Sequence, residues 1–396
     1  MDIRKCLWLF LLCFLSAPSI QAQRNHIDIP NYILCINSYS ESTPWSSRMI
    51  STISEYVQKD PQLALYAEHM NTLMIDNDSI LEKFENMISQ KYSQPRPQLL
   101  VLLGSPAFTL RDEYRKFWGD IPIILCSEEA FLGPQEAYFQ KREIALADRI
   151  PTSQFADPYN MVFLYSNLYL RENVQLINHI NPSIKKFIFI GDEREINLSN
   201  SMDIQDELKT NYPQIEFHFL KPQNKTTNQL LDSLYRVDSH TTGILFASWF
   251  YKAKFAGNTS LVFNDHKLIV TTVAPIFTLN MTDITEENGG MIGGYTYNQK
   301  RYNQELVHAI SAIRQGKQAR ELPFYMPSDG RPIINYATLI SKGLSHSTCP
   351  PNTFFLHKPL SFWKQNQYFI IGSLTFIFLL ALFFFYRIRS LNIIKK

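Results

Sequence analysis

LLVLLGSPAFTLRDEYRKFW, residues 99–118, opens with Leu99 to Leu103, an aliphatic run with no polar residue in it. A strand with one wet face alternates apolar and polar side chains. A strand in a parallel sheet is covered on both faces and reads as a continuous apolar run. Gly104 closes the run, and the sequence then places Ser105 as the N-cap and Pro106 at the first turn of a helix. A buried strand that turns at once into a helix is half of a βαβ unit.

The same grammar extends in both directions. YILCI (32–36) is a buried strand that ends at the polar NSYSESTPW, and a helix starts near Pro44 with Met49, Ile50, Ile53 and Val57 on one face. LALYAEHM (63–70) is a second strand. A helix capped by Asp78 or Ser79 carries Ile80, Leu81, Phe84 and Ile88, and IPIILCSEE (121–129) is a fourth strand. After a polar, irregular stretch at 127–160 the pattern restarts. A helix from about Leu168 to Ile180, KKFIFIGDE (185–193), a helix at 199–210, IEFHFL (215–220), a helix at 226–236, TGILFASWF (242–250), KLIVTTVAPIF (267–277), MIGGYTY (291–297) and a helix at 299–315 follow in order. The expected fold is therefore α/β, with two doubly wound parallel-sheet lobes, 23–160 and 161–322, the second including crossing segments that return to the first.

The two ends read differently. MDIRKCLWLFLLCFLSAPSIQAQ has a basic start, a short apolar run and small residues, which is a secretory signal over 1–22 with cleavage after Ala22; a retained anchor is the alternative. Tyr368 to Tyr386 carries no charge and is apolar on every face, the length a bilayer core requires. Residues 323–367 are then a juxtamembrane connector and 387–396 a cytoplasmic tail. This places a single-pass protein in the cytoplasmic (inner) membrane with its N-terminal body in the periplasm. Of the 38 Lys and Arg residues, Arg4, Lys5, Arg387, Arg389, Lys395 and Lys396 flank these apolar runs, so the body between is slightly acidic and nucleic acid is not an expected partner. Cys6 and Cys13 fall in the signal, Cys35 and Cys126 in buried strands and Cys349 in a late loop, so no disulfide framework is expected.

Open parallel sheets bind ligands beyond the carboxyl ends of their strands. There this sequence has Asn37, Ser38, Tyr39 and Trp45, then Gly104 and Ser105, then Ser127, Glu128 and Glu129; in the second lobe it has Gly191 and Asp192, Ser248 and Trp249, and Pro275. Hydroxyls, helix N-termini and aromatic rings suit a small polar or zwitterionic ligand with an apolar part. Glu128 and Glu129 are neighbours in extended chain and point opposite ways, so they do not address one ligand together. No HExxH, paired CxxC or GxSxG is present, and GGMIGG (289–294) lacks the strand-then-helix setting of a nucleotide loop. No metal, no cofactor and no enzymatic activity are expected.

INSYSESTPWS, LLVLLGS, IPIILCSEE, FIFIGDE and VAPIF occur in an order that resembles periplasmic substrate-binding proteins of the type I fold. The chain looks most like the ABC-transporter substrate-binding-like sensor regions of bacterial membrane histidine kinases, whose stretch before the membrane helix is similar to PFYMPSDGRPIINYATLISKGLSHSTCPPNTFFLHKPLSFWKQNQYF. The resemblance covers about residues 30–390. It implies two lobes closing on a small ligand, with Tyr39, Trp45, Ser105 and Glu128 lining the cleft from the first lobe and Asp192 and Trp249 from the second. Ser40 stands where the family pattern has His. It also implies a two-component sensor whose closure alters the membrane helix, in a homodimer, with the kinase output absent from this chain and supplied by a separate or missing histidine kinase. The alternative is a membrane-tethered substrate-binding protein of an ABC-type transporter. The aromatic, proline-bearing connector, unlike a flexible Gly/Ser linker, weighs against it. A scaffold or adhesion module with no small ligand is the remaining alternative.

Overall fold

The computed structural model describes residues 31–394 except 76, 223–225, 256–257, 263–273 and 285–290. The expected signal segment, the GGMIGG turn in part and most of the strand expected at 267–277 lie outside the described residues.

Strands β1 (Asn31–Asn37), β2 (Leu63–His69), β3 (Leu99–Leu103) and β4 (Ile123–Ser127) form one parallel sheet. A short antiparallel ladder, β5 (Phe131–Leu132) with β6 (Ile150–Pro151), follows, and β7 (Met161–Tyr165) then completes the sheet in the order β2-β1-β3-β4-β7. Residues 161–165, which the sequence pattern leaves without a strand and the expected boundary puts in the second lobe, form the edge strand of the first sheet, and the chain crosses after it. Side chains from alternate strand positions bury in two separate cores. One face packs Leu34, Leu100 and Leu125 against Phe108 and Tyr114, and the other packs Ile33, Val101 and Ile124 against Met49 and Ile53 of the helix Pro44–Val57. This is why the strands carry no polar face.

The second sheet repeats the design with β8 (Lys186–Ile190), β9 (Glu216–Leu220) and β10 (Thr242–Phe246). The hairpin β11 (Tyr251–Phe255) with β12 (Asn258–Val262) intervenes before β13 (Ile276–Thr278), and the parallel order is β13-β10-β8-β9. In both sheets the first strand is flanked by the second on one side and the third on the other. Each sheet therefore has a switch point after its first strand, where loops diverge and leave a crevice.

The MIGGYTY segment departs from expectation. β14 (Gly293–Thr296) pairs antiparallel with β15 (Arg331–Asn335), which pairs with β16 (Phe354–Leu356) in a small third sheet. Ile334 and Leu339 are fully buried in the second lobe's core, so much of the stretch expected as a connector is folded onto that lobe. The helix Gln299–Arg314 instead packs Tyr302, Leu306 and Ile310 on the first sheet.

The chain crosses between lobes at 166–169, 296–298 and 326–330. The Tyr169 hydroxyl donates to Pro327 O (3.0 Å) and the Tyr295 hydroxyl to Gly330 O (2.9 Å), while the two rings lie 5.0 Å apart. Asn173 bonds both the carbonyl (2.9 Å) and the N–H (2.7 Å) of Tyr295. One polar cluster thus laces all three crossings together.

The last helix, Gln367–Ile394, follows the short turn of helix Phe362–Gln365. Its Gln367–Ser390 portion is long and apolar enough to cross a membrane and none of it is buried against the body. At 1.5 Å per residue the helix is about 42 Å long.

Candidate functional site

The first lobe's switch point is built from uncharged groups. Ser38 N–H donates to Leu103 O (2.9 Å), the Ser38 hydroxyl donates to Gly104 O (3.2 Å), and Ala107 N–H donates back to Ser38 Oγ (2.9 Å). Gly104 has φ of 90°, and a Cβ there would sit 2.9 Å from Ser38 Oγ and from the Tyr39 ring. The close approach of Tyr39 therefore depends on glycine at 104. Gly104, not Ser105, is the cap of the helix Ser105–Phe108; Ser105 is its first helical residue and turns its Oγ to Ser127 Oγ (2.8 Å). The cap moves because only the glycine adopts the turn. The earlier helix Asp78–Lys91 is capped by Asn77, whose side chain accepts from Ile80 N–H, rather than by Asp78 or Ser79.

The second lobe's switch point is ionic. Asp192 is fully buried and accepts from Arg194 N–H and Nε (2.9 Å each), Arg194 Nη2 (2.9 Å), Asn197 Nδ2 (3.0 Å) and the Ser248 hydroxyl (2.6 Å). This turn starts the helix Glu195–Asn211, four residues earlier than the sequence placed it. Burial works against the Arg194 charge, and Asp192 outweighs it, holding the guanidinium above its ordinary pKa. The guanidinium lies 5.0 Å from the Tyr39 ring of the first lobe and 5.0 Å from Phe250 of its own. It is the point where the two switch points meet.

Around that point is a cleft in two parts. One, about 470 Å³ of open space, is lined by Trp45 and Glu128 from the first lobe and by Arg194, Asn200, Ser248 and Phe250 from the second. Trp45 meets Tyr39 edge-on at 6.0 Å and donates its Nε1–H to Ser166 Oγ (3.3 Å) at the first crossing. Burial pushes the Glu128 carboxyl up to about 7, Arg194 opposing and Glu129 adding to the shift. The other part, about 310 Å³, lies between Tyr39, Glu129, Tyr138, Arg194 and Glu195. Glu129 and Glu195 come from opposite lobes, are 5% and 3% exposed, and hydrogen-bond one another. Burial raises both above the usual carboxylate range; a shared proton is the arrangement this geometry favours.

Of the sequence-selected residues, Tyr39, Trp45 and Glu128 line the cleft. Asp192 lies beneath it and fixes Arg194. Ser105 lies under its floor, bonded to Ser127, with Pro106 at the surface. Trp249 is elsewhere: it is buried among Ile188, Ile190 and Leu230, and its neighbour Phe250 faces the cleft. Arg194 and Glu195 were not singled out by sequence. The available signal was an Asp two residues before an Arg at a strand end, a spacing that lets the carboxylate cap the turn and pair with the same residue.

Neither a family model nor a curated protein sequence matches the chain. Solved structures do. A conserved domain protein from Vibrio cholerae O1 biovar El Tor is 12% identical, with 82% of this chain and 99% of that one covered at a TM-score of 0.53. The fold is that of the type I periplasmic binding proteins. The ABC domain from Streptococcus pneumoniae, solved in complex with L-Trp, is 14% identical over 82% of this chain and 99% of its own, with a TM-score of 0.52. A LacI-type regulator structure from Bacteroides fragilis is 10% identical over 76% and 96%, with a TM-score of 0.50. At these identities the likeness is one of fold.

Proposed function

We propose that the protein is an extracytoplasmic receptor for a small solute, held to a membrane by its C-terminal helix. The observation that carries this reading is the meeting of the two switch points across a cleft lined from both lobes, with Arg194 of one lobe against Tyr39 of the other. Solute binding between lobes favours a closed arrangement over an open one, a shift in a pre-existing balance. The stretch 331–356 is folded onto the second lobe, so rotation of that lobe carries the start of the membrane helix with it. The reading extends to signalling: closure is passed through the helix to a cytoplasmic histidine kinase. A folded connection favours this over a loose transporter tether, where lobe rotation need not reach the membrane.

The test is a thermal-shift screen of the full chain in detergent against sugars, amino acids, organic acids, amines and nucleobases. A solute that binds only the folded form must raise Tm. Absence of any shift across that library would remove the solute-receptor reading.

A further inference from the structure

Positive charge is what the cleft lacks. Glu128, Glu129 and Glu195 line it with two cations, Arg194 and Lys141. Arg194 is paired with Asp192 through Nε and Nη2 and bonded to Ser248 through Nη2, and Lys141 is not a free charge. Arg149, the next cation outward, is held by Asp203 at 3.0 Å. Glu129 Oε1 is buried with no hydrogen-bond donor beyond the proton the pair with Glu195 would share, and no described salt bridge or hydrogen bond engages the half-buried Glu128 carboxyl, which Arg194 opposes only through space. A carboxylate held in a cleft without a direct ion pair is partly desolvated and uncompensated, and a guest that supplies a cation there recovers that energy on binding.

The larger part of the cleft shows where such a guest fits. Glu128 shares it with the Trp45 indole and the Phe250 ring, while Asn200 and Ser248 add neutral polar groups. Aromatic faces attract a cation and cover an apolar body. We propose that the ligand carries a positively charged amine, set against Glu128, with its apolar part between Trp45 and Phe250. This rests on the solute-receptor reading and names the ligand's chemical class. Burial raises the proton affinities of Glu128 and of the Glu129–Glu195 pair, and Arg194 and Arg149 offset this only in part.

The experiment uses the full chain in detergent and three sets of compounds matched in size and in aromatic or branched apolar body: primary amines such as 2-phenylethylamine, acids such as 3-phenylpropanoate, and neutral alcohols such as 3-phenylpropanol. Binding is read by thermal shift and by calorimetry. The expected result is binding in the amine set, with acids and alcohols about tenfold weaker or more, and a similar loss of amine affinity in Glu128→Gln. Glu128→Gln keeps the shape of the side chain and removes only its charge, so its Tm without ligand should be unchanged or higher. Should that variant not fold, Trp45→Phe with the same three sets reads the aromatic half of the site. Binding confined to acids or alcohols, or amine binding indifferent to Glu128→Gln, overturns the amine assignment and leaves the solute-receptor reading standing. No binding in these sets or in the broad screen overturns both.

Discussion

The two lobes solve one topological problem with different chemistry. Each sheet opens a crevice beside its first strand. In the first lobe Ser38, Gly104 and the Tyr39 ring close it with neutral hydrogen bonds and a close aromatic approach. In the second, a buried carboxylate, a guanidinium and two polar side chains close it. In the second lobe the Asp192 charge is balanced by Arg194 of the same turn. In the first lobe, Glu128 has no described ion pair, and Arg149 and Ser105 offset the shift of Glu129 only in part. The difference teaches that the cleft is electrically asymmetric, and that charge on one side is held ready for something brought to it.

The largest test of the contrast is Asp192→Ala. It strands Arg194 in the interior, and removing one partner of a buried pair costs about 3–5 kcal/mol. Ser38→Ala, the corresponding change in the first lobe, removes neutral bonds and should cost about 1–3 kcal/mol. Chemical denaturation of both variants checks the ratio; equal losses would erase the distinction between ionic and neutral switch points.

Gly104→Ala comes next. It forces a side chain into φ of 90° and to within 2.9 Å of Tyr39 and Ser38. A loss of about 1–3 kcal/mol is expected, with Tyr39 displaced from Arg194. Crystallography or tyrosine fluorescence would show the displacement; an unchanged Tyr39 would mean the approach does not depend on glycine.

A smaller effect is pH-dependent. Glu128, Glu129 and Glu195 have folded-state pKa values raised above the ordinary 4.5, Glu128 to about 7. The folded form then binds more protons than the unfolded form between those limits, so stability falls as pH rises from about 4.5 to about 7. Arg149, Arg194 and Ser105 temper the slope, Asp203 adds to it, and Tyr138 also faces the group. Glu195→Gln should flatten the decline in Tm across that range. A slope unaltered by the substitution would assign the titration to other groups.

The smallest effect is expected at Trp249. Its indole N–H is buried without a partner. Trp249→Phe removes that group at the expense of some packing, so stability should move by no more than about 1 kcal/mol. Solute affinity should be unaffected, whereas Phe250→Ala should weaken it, by calorimetry with whichever solute the screen identifies.

These neighbours also show how far sequence reads. Strand β3 was legible because Leu99–Leu103 has no polar face, and the fold followed from that pattern repeated. Tyr39, Trp45 and Glu128 were legible as residues beyond strand ends. Trp249 and Phe250 are adjacent aromatics past the end of β10, and no periodicity tells which turns inward. Ser105 carries the composition of a helix cap, yet the backbone at Gly104 took that role. Glu195 lay before the helix the apolar pattern indicated at 199, because polar Asn197 and Ser199 mask its first turn although both are buried. Its pairing with Glu129 is a meeting of two lobes, which spacing along one chain does not encode.

The lacing of the three crossings by Tyr169, Asn173 and Tyr295 has a mechanical meaning. Three strings tied at one knot leave two rigid bodies a single easy axis of rotation. In the proposed receptor this leaves essentially one coordinate, open to closed, with sideways slip suppressed. Because the strands that lead to the C-terminal apolar helix pack on the second body, that body would act as a lever under the proposed reading. A small angular step at the knot becomes a larger linear stroke where the apolar helix begins, and the gain is set by the distance between them.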